Sequence, residues 1–168
     1  MTLNKVLPDV EFADRKIKGR GRPDFCIHLR ANNKLLAPIE IKRFNVLITH
    51  GLEIPYIYNY NPNIEEDNTI LIMNLKRKMT TVIQQIYNYM VDSGKKYGVL
   101  STYNEHWFIK RECGTLYISK AVKYDSTNPP VLKSYACLVK LAKEGADSPN
   151  PRIIETDSRY SLRNRTQS

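Results

Sequence analysis

Apolar and polar residues alternate along two neighbouring stretches near the N-terminus. Apolar side chains occupy every second position in residues 24–30 and again in residues 35–42. A period of two is typical of β-strands, whose successive side chains point to opposite faces of a sheet. The intervening residues 31–34 contain Asn32 and Asn33, and Asn favours turns because it tolerates left-handed backbone angles. The pattern therefore predicts a β-hairpin.

The register of this hairpin determines which side chains share a face. Apolar residues lie opposite apolar residues only if the numbers of paired residues sum to an even value. A slip of one residue would set apolar against polar side chains on both faces. The even-sum register also puts Asp24 opposite Glu40 or Lys42. The hydrophobic pattern alone thus predicts that Asp24, Glu40 and Lys42 share one face at one end of the hairpin.

Helical periodicity appears further along the chain. Residues 79–93 carry an apolar stripe at helical spacing, and Gly94 follows as a stop signal. A second helix is predicted to open at Pro129-Pro130 and to end before Gly145. Three short strands are predicted between the two helices, over residues 97–103, 106–111 and 115–120.

The predicted element order is β-β-α-β-β-β-α, which indicates an α/β fold with a mixed sheet. A chain of 168 residues is long enough for one hydrophobic core. Residues 147–168 are polar and lack apolar periodicity. We therefore expect one domain over residues 1–146, followed by a flexible basic tail or linker over residues 147–168.

The shared face of the hairpin carries the residue types of a metal-dependent hydrolase. Asp24 and Glu40 offer the oxygen ligands that Mg²⁺ prefers, and Mg²⁺ activates water and neutralises charge on a phosphodiester. Lys42 is suited to stabilise developing charge or to orient the nucleophile. The alternative is an exposed Asp beside an ordinary surface Glu/Lys pair.

The helix over residues 79–93 contributes two further candidates. Gln85 and Tyr89 are one turn apart at the margin of the apolar stripe, so both can point toward the end of the sheet. The alternative is that they are amphipathic residues at the boundary of the core.

The order of these motifs resembles that of the PD-(D/E)XK nuclease superfamily, which has the restriction-endonuclease-like fold. The resemblance covers about residues 20–120 and rests on the motifs Pro23-Asp24, Glu40-Ile41-Lys42 and Gln85-x-x-x-Tyr89. It is strongest to the nuclease-like domains of fungal Crinkler-type effectors and related kinase-linked proteins. It implies a mixed central β-sheet flanked by helices.

The same resemblance implies an activity and a role for each motif residue. The activity is Mg²⁺-dependent hydrolysis of DNA phosphodiesters by an endodeoxyribonuclease, with Mn²⁺ as a second option for the ion. Asp24 and Glu40 are implied to bind the metal and Lys42 to act in catalysis. Gln85 and Tyr89 are implied to support the site or to contact DNA.

The sequence departs from the family pattern at its N-terminus. Members usually begin with a helix that carries another acidic residue, and here Glu11 is the candidate for that third metal ligand. The surrounding residues, 10–13, read as a strand rather than a helix. A second departure is the long connection over residues 46–78.

The net charge of the chain predicts the kind of partner that it binds. The formal net charge is +9, which favours a polyanionic partner held through phosphate contacts. Two basic runs flank the candidate site elements, and solvated surface charge is their alternative explanation. The candidate nucleic-acid-binding residues are Arg15, Lys16, Lys18, Arg20 and Arg22, and then Lys76, Arg77 and Lys78. Double-stranded DNA is the expected partner.

Cysteine usage and apolar runs bear on the location of the protein. The three cysteines are widely spaced, which argues against a zinc site or a disulfide framework and fits a reducing compartment. No secretory signal or membrane-spanning run is visible, so an intracellular, nuclear location is expected.

Two further functional classes stay open, namely a nucleic-acid-binding effector or adaptor that does not cut, and an accessory domain appended to a kinase. A homodimer also stays open.

Overall fold

The computed structural model describes residues 7–14, 22–61, 69–112 and 114–149. The strands in these residues are β1 (Val10–Ala13), β2 (Phe25–Leu29), β3 (Leu35–Ile41), β4 (Tyr97–Ser101), β5 (Glu105–Glu112), β6 (Thr115–Ile118) and β7 (Val122–Lys123). The helices are α1 (Ile54–Asn59), α2 (Thr69–Asp92) and α3 (Val131–Gly145). The predicted α/β class, a mixed central sheet flanked by helices, is confirmed.

The strands form one sheet in the order β1-β2-β3-β4-β5-β6, and β7 pairs with β5. Strands β3 and β4 are parallel, whereas the other paired strands in the described part of the chain are antiparallel. A parallel pair needs a crossover connection. Helices α1 and α2 lie in the segment that joins β3 to β4, so this crossover connects two neighbouring strands at the centre of the sheet.

Helices cover both faces of this sheet. Helices α1 and α2 pack on one face around Ile86, Leu100 and Trp107. Helix α3 packs on the other face, where Tyr135 and Leu138 contact the apolar residues of β2, β3 and β4. The prediction of half-buried hairpin strands is therefore wrong for β3, in which residues 36–40 are all buried.

The predicted hairpin register is confirmed at the end that carries the candidate site. Phe25 pairs with Ile39 and Ile27 with Ala37, which is an even-sum register. The register shifts by one residue after Ile27, so that His28 pairs with Leu35. The prediction of a single register along the hairpin is thus wrong near the turn, because a β-bulge cannot be read from alternation alone.

Helix α2 begins at Thr69, ten residues before the predicted start. The apolar stripe continues toward the N-terminus through Ile72 and Leu75, both buried. The basic run at residues 76–78 therefore lies within the helix and not ahead of it. Helix α1 was not predicted, although Pro55 is well tolerated in a first helical turn. No helix in the described residues combines the length and apolarity needed to span a membrane.

The C-terminal half follows the predicted order, with β7 as an addition. Helix α3 starts directly after Pro130 and includes Gly145 as its last residue. Beyond it, Asp147 bridges to Lys95, and the Ser148 N–H donates to the Gly94 carbonyl at 2.9 Å. Packed structure thus continues through residue 149, three residues past the expected domain boundary. The rest of the expected tail lies outside the described residues.

Candidate active site

Strands β3 and β4 end side by side because they are parallel. Ile41 pairs with Ser101, and the Lys42 N–H donates to the Ser101 carbonyl at 2.8 Å. Strand β2 is antiparallel to β3, so its first residues meet the last residues of β3. This edge of the sheet therefore gathers Asp24, Glu40 and Lys42, as the hydrophobic pattern predicts.

Asp24 and Glu40 are tied together by backbone hydrogen bonds. The Asp24 Oδ2 atom accepts the Ile41 N–H at 2.7 Å, which fixes the side chain against the end of β3. The Glu40 carboxylate is stabilised in return by the backbone N–H of Asp24. Asp24 is exposed, whereas Glu40 is only 3% exposed. One carboxylate thus faces solvent at the rim and the other lies just beneath it.

Burial controls the electrostatics of Glu40. Loss of hydration raises the pKa of the Glu40 carboxyl above its usual value. The hydrogen bond and the positive charge of Lys42 lower that pKa, and the negative charge of Asp24 raises it. The ionised form of Glu40 therefore depends on nearby positive charge, and Lys42 supplies part of it.

A chain of side-chain hydrogen bonds connects the sheet to α2. The Lys42 ammonium contacts the Glu40 carboxylate and donates to the Gln85 Oε1 atom at 2.7 Å. The Gln85 Nε2 atom donates to the Tyr89 hydroxyl at 2.8 Å. Gln85 and Tyr89 are one helical turn apart, so their side chains lie along one face of the helix. The structure thus brings together all five residues predicted to be catalytic.

The donor set at this edge suits a hard divalent cation. Asp24 and Glu40 offer oxygen atoms only, and within the described ranges no cluster of three or more His, Cys, Asp or Glu side chains is suited to hold a metal. Mg²⁺ commonly uses one or two protein carboxylates and completes its shell with water and substrate phosphate. Two carboxylates are therefore a suitable protein ligand set for Mg²⁺ or Mn²⁺. A cation there would also offset the unfavourable burial of the Glu40 charge.

The structure does not bring Glu11 to the carboxylate pair. Glu11 lies on β1 opposite His28, four residues along β2 from Asp24. At the usual rise per residue this is a separation of roughly 13 Å along the sheet. Glu11 therefore lies apart from the carboxylate pair, because the short strand β1 pairs with the far half of β2.

The predicted basic residues are distributed unevenly. Arg15, Lys16, Lys18 and Arg20 lie outside the described residues. Arg22 forms a bidentate ion pair with Asp14 at 2.7–2.8 Å.

The basic run on α2 has two exposed members. Lys76 donates to the Tyr60 carbonyl at 3.0 Å, whereas Arg77 and Lys78 are exposed. Lys78 precedes Gln85 by seven residues, which is about two helical turns and roughly 10 Å along one face of the helix. Lys78 is thus the described basic residue of this run that is aligned with the site.

Sequence reasoning missed Ser101, which supports the site from β4. Its carbonyl holds the backbone of Lys42, and its side-chain oxygen accepts the Tyr103 N–H at 3.0 Å. The Oγ atom also lies 3.1 Å from the His106 Nδ1 atom. No local motif surrounds Ser101, and only its place beside Ile41 in the parallel pair reveals its role.

Comparisons with known proteins reveal a structural similarity but no sequence match. No family model matches the chain, and no curated protein sequence matches it. Among solved structures, the chain is similar to the type IIG restriction endonuclease BpuSI, with a TM-score of 0.41 and 16% sequence identity. The similarity covers 84% of this chain and 15% of that enzyme.

Proposed function

We propose that this protein is a metal-dependent nuclease that hydrolyses DNA phosphodiesters. The observation that carries the proposal is the hydrogen-bonded series Glu40–Lys42–Gln85–Tyr89, with Asp24 beside Glu40 at the open edge of the sheet. A solvated surface Glu/Lys pair would not need a buried Glu or an amide partner on another element.

Asp24 and Glu40 would hold the ion, and the other residues position the substrate. A bound Mg²⁺ or Mn²⁺ supplies Lewis-acid chemistry to the phosphate and lowers the pKa of water. A lysine ammonium has three donors. Two N–H donors of the Lys42 ammonium are directed at Glu40 and Gln85. The third N–H donor is left for a phosphate oxygen or the attacking water. Tyr89 holds the amide of Gln85, so the ammonium is positioned before substrate arrives.

The test is DNA cleavage with Mg²⁺ by the wild-type protein and by Asp24→Asn. We expect the substitution to reduce the rate by roughly 100-fold or more, as losses of charge-stabilising groups do. The matched control is Glu144→Gln, which neutralises an exposed carboxylate on α3, the helix on the opposite face of the sheet. Equal cleavage by folded Asp24→Asn and wild type would overturn the proposal.

A second candidate function is a nucleic-acid-binding effector or adaptor that retains the fold without cutting. The position of Glu11, far from the carboxylate pair, favours it because the site then has two acidic residues instead of three. DNA binding without Mg²⁺-dependent cleavage would support this candidate. An effector role and a kinase linkage rest on the sequence resemblance alone, and a nuclear location and a homodimer remain predictions from the sequence.

A further inference from the structure

A second concavity lies beside the candidate active site. It is a cleft of about 420 Å³ between the loop that follows β3 and the turns at residues 102–105 and 123–125. Its lining includes Phe44, His50, Asn104, Glu105, Tyr124 and Asp125. The volume falls within the range of small-molecule binding sites.

Two residues that line the cleft closely follow residues of the candidate active site on two neighbouring strands. Phe44 is the second residue after Lys42, and Thr102 follows Ser101, whose carbonyl accepts the Lys42 N–H. Leu47 also lines the cleft and packs in the core between the sheet and α2, the helix whose Gln85 contacts Lys42. The cleft therefore lies on the side of the candidate site to which a strand bound at Asp24 and Glu40 could extend.

Exposed aromatic rings are concentrated at this cleft. In the described part of the chain, the three most exposed aromatic residues are Phe44 at 65%, Tyr103 at 68% and Tyr124 at 69%. Phe44 and Tyr124 line the cleft, and Tyr103 lies in the turn between two lining residues. Exposed aromatic rings beside a concave surface are typical of stacking platforms for nucleobases.

The turn that carries Tyr103 is held in an unfavourable conformation. Tyr103 has a φ of 69°, in the left-handed region that bulky residues rarely adopt. Hydrogen bonds fix it, since the Tyr103 N–H donates to the Ser101 Oγ atom at 3.0 Å and the Glu105 N–H to the Thr102 Oγ1 atom at 3.2 Å. The ring is thus presented to solvent by a turn that is already ordered.

The charges of the cleft favour a base over a phosphate. Glu105 and Asp125 are acidic, and the lining also includes Lys123 and His50. Carboxylates would repel a phosphate but accept hydrogen bonds from the exocyclic amino groups of bases. Asn104 adds an amide that can donate and accept.

We propose that this cleft binds an unpaired nucleobase next to the scissile phosphate, stacked against Phe44 and Tyr124. The inference rests on the proposed nuclease function for the identity of the strand. It extends that function by assigning the substrate class, which is DNA with a single-stranded segment beside the cleavage position. A base inside a duplex is stacked on its neighbours and cannot enter such a cleft without leaving the helix.

The test compares two fluorescent DNA probes in EDTA, where binding is measured without cleavage. One probe is a blunt duplex, and the other is the same duplex with a short single-stranded extension. We expect wild type to prefer the extended probe. The double variant Phe44→Ala/Tyr124→Ala should bind that probe roughly 5- to 150-fold more weakly, the range measured for loss of base stacking. Its binding to the blunt duplex should change little.

Matched controls use exposed tyrosines outside the cleft. Tyr58→Ala and Tyr117→Ala remove rings that are 46% and 54% exposed, on α1 and β6. Circular dichroism checks that each variant is folded. Unchanged binding of both probes by the folded double variant would overturn the inference, and so would an equal loss in the control variants.

Cleavage distinguishes this inference from the proposed function. In one outcome, wild type and the double variant cut blunt DNA equally and bind both probes with the same affinity. That result would support the nuclease proposal and overturn the cleft inference. Alternatively, wild type binds the extended probe through Phe44 and Tyr124 but cuts neither probe with Mg²⁺. That result would overturn the nuclease proposal and support base binding in the cleft.

Discussion

Glu40 is a carboxylate whose charge is opposed by burial and supported by a neighbour. We predict that Lys42→Met raises the pKa of Glu40 further, because it removes the hydrogen bond and charge that lower it. A raised pKa in the folded state contributes stability at low pH that is lost as the pH rises through that pKa. Stability of Lys42→Met should therefore fall more steeply than that of wild type as the pH rises from about 4.

NMR titration of the Glu40 side-chain carboxyl measures this shift directly, and unfolding at several pH values measures its effect on stability. Lys42→Arg is the matched control because it keeps the positive charge. An unchanged Glu40 pKa in Lys42→Met would mean that the ion pair does not control the carboxyl.

The residue-scale features differ in how readily the sequence reveals them. The proximity of Asp24, Glu40 and Lys42 is predicted by the alternation of apolar residues. The register that pairs Phe25 with Ile39 also brings these polar residues together. Ser101 could not be predicted, because its role depends on a parallel pairing between strands separated by two helices. Alternation identifies which residues share a strand face, but it does not identify the neighbouring strand.

At the scale of elements, Gly98 sets how closely α2 approaches β4. A Cβ atom at this position would lie 2.8 Å from the Met90 Sδ atom and 3.2 Å from its Cγ atom. Met90 is fully buried and has little room to move. We predict that Gly98→Ala reduces the free energy of unfolding by about 1–3 kcal/mol, as overpacked cores do.

Chemical denaturation measures this loss, and Gly145→Ala serves as its control. A Cβ atom at Gly145 meets nothing within 4 Å, so that variant should be as stable as wild type or slightly more stable. Wild-type stability in Gly98→Ala would show that the helix can shift away from the sheet without cost.

The elements also show where sequence reasoning reaches its limit. Helix α3 and the strands after α2 were predicted because proline, glycine and periodicity agree at their ends. Helix α1 lies in the long connection over residues 46–78, where Pro55 suggests irregular structure although it lies in the first turn of the helix. The early part of α2 is not apparent from the sequence because residues 70–73 are all apolar, which hides the stripe that the burial of Ile72 and Leu75 makes visible.

At the scale of the whole molecule, net charge and the position of the site indicate how DNA would approach. The formal charge is +9, and Arg77 and Lys78 are exposed on α2, the helix that contributes Gln85. We predict that Arg77→Ala and Lys78→Ala each weaken DNA binding and each reduce the log–log salt slope by about 0.9. Phosphate contacts position the protein without reading bases, so the loss should be the same for all sequences.

Binding measured over a series of salt concentrations gives the slope. Lys140→Ala removes an equal charge from an exposed position on α3, the helix on the opposite face, and should leave the slope unchanged. An equal effect of all three variants would indicate that DNA is attracted by the overall positive charge and does not follow a defined path along α2.

The hydrogen bond from Lys42 to Gln85 joins residues that are 43 positions apart. Forming it closes a long loop, at an entropic cost that grows with the logarithm of loop length. The hairpin that carries Asp24, Glu40 and Lys42 closes over only a few residues, and it supplies the Glu40 contact to the ammonium. The Gln85 contact exists only while α2 is docked on the sheet. The full set of contacts therefore reports on tertiary packing, because displacing α2 would remove Gln85 and Tyr89 while the hairpin remained intact.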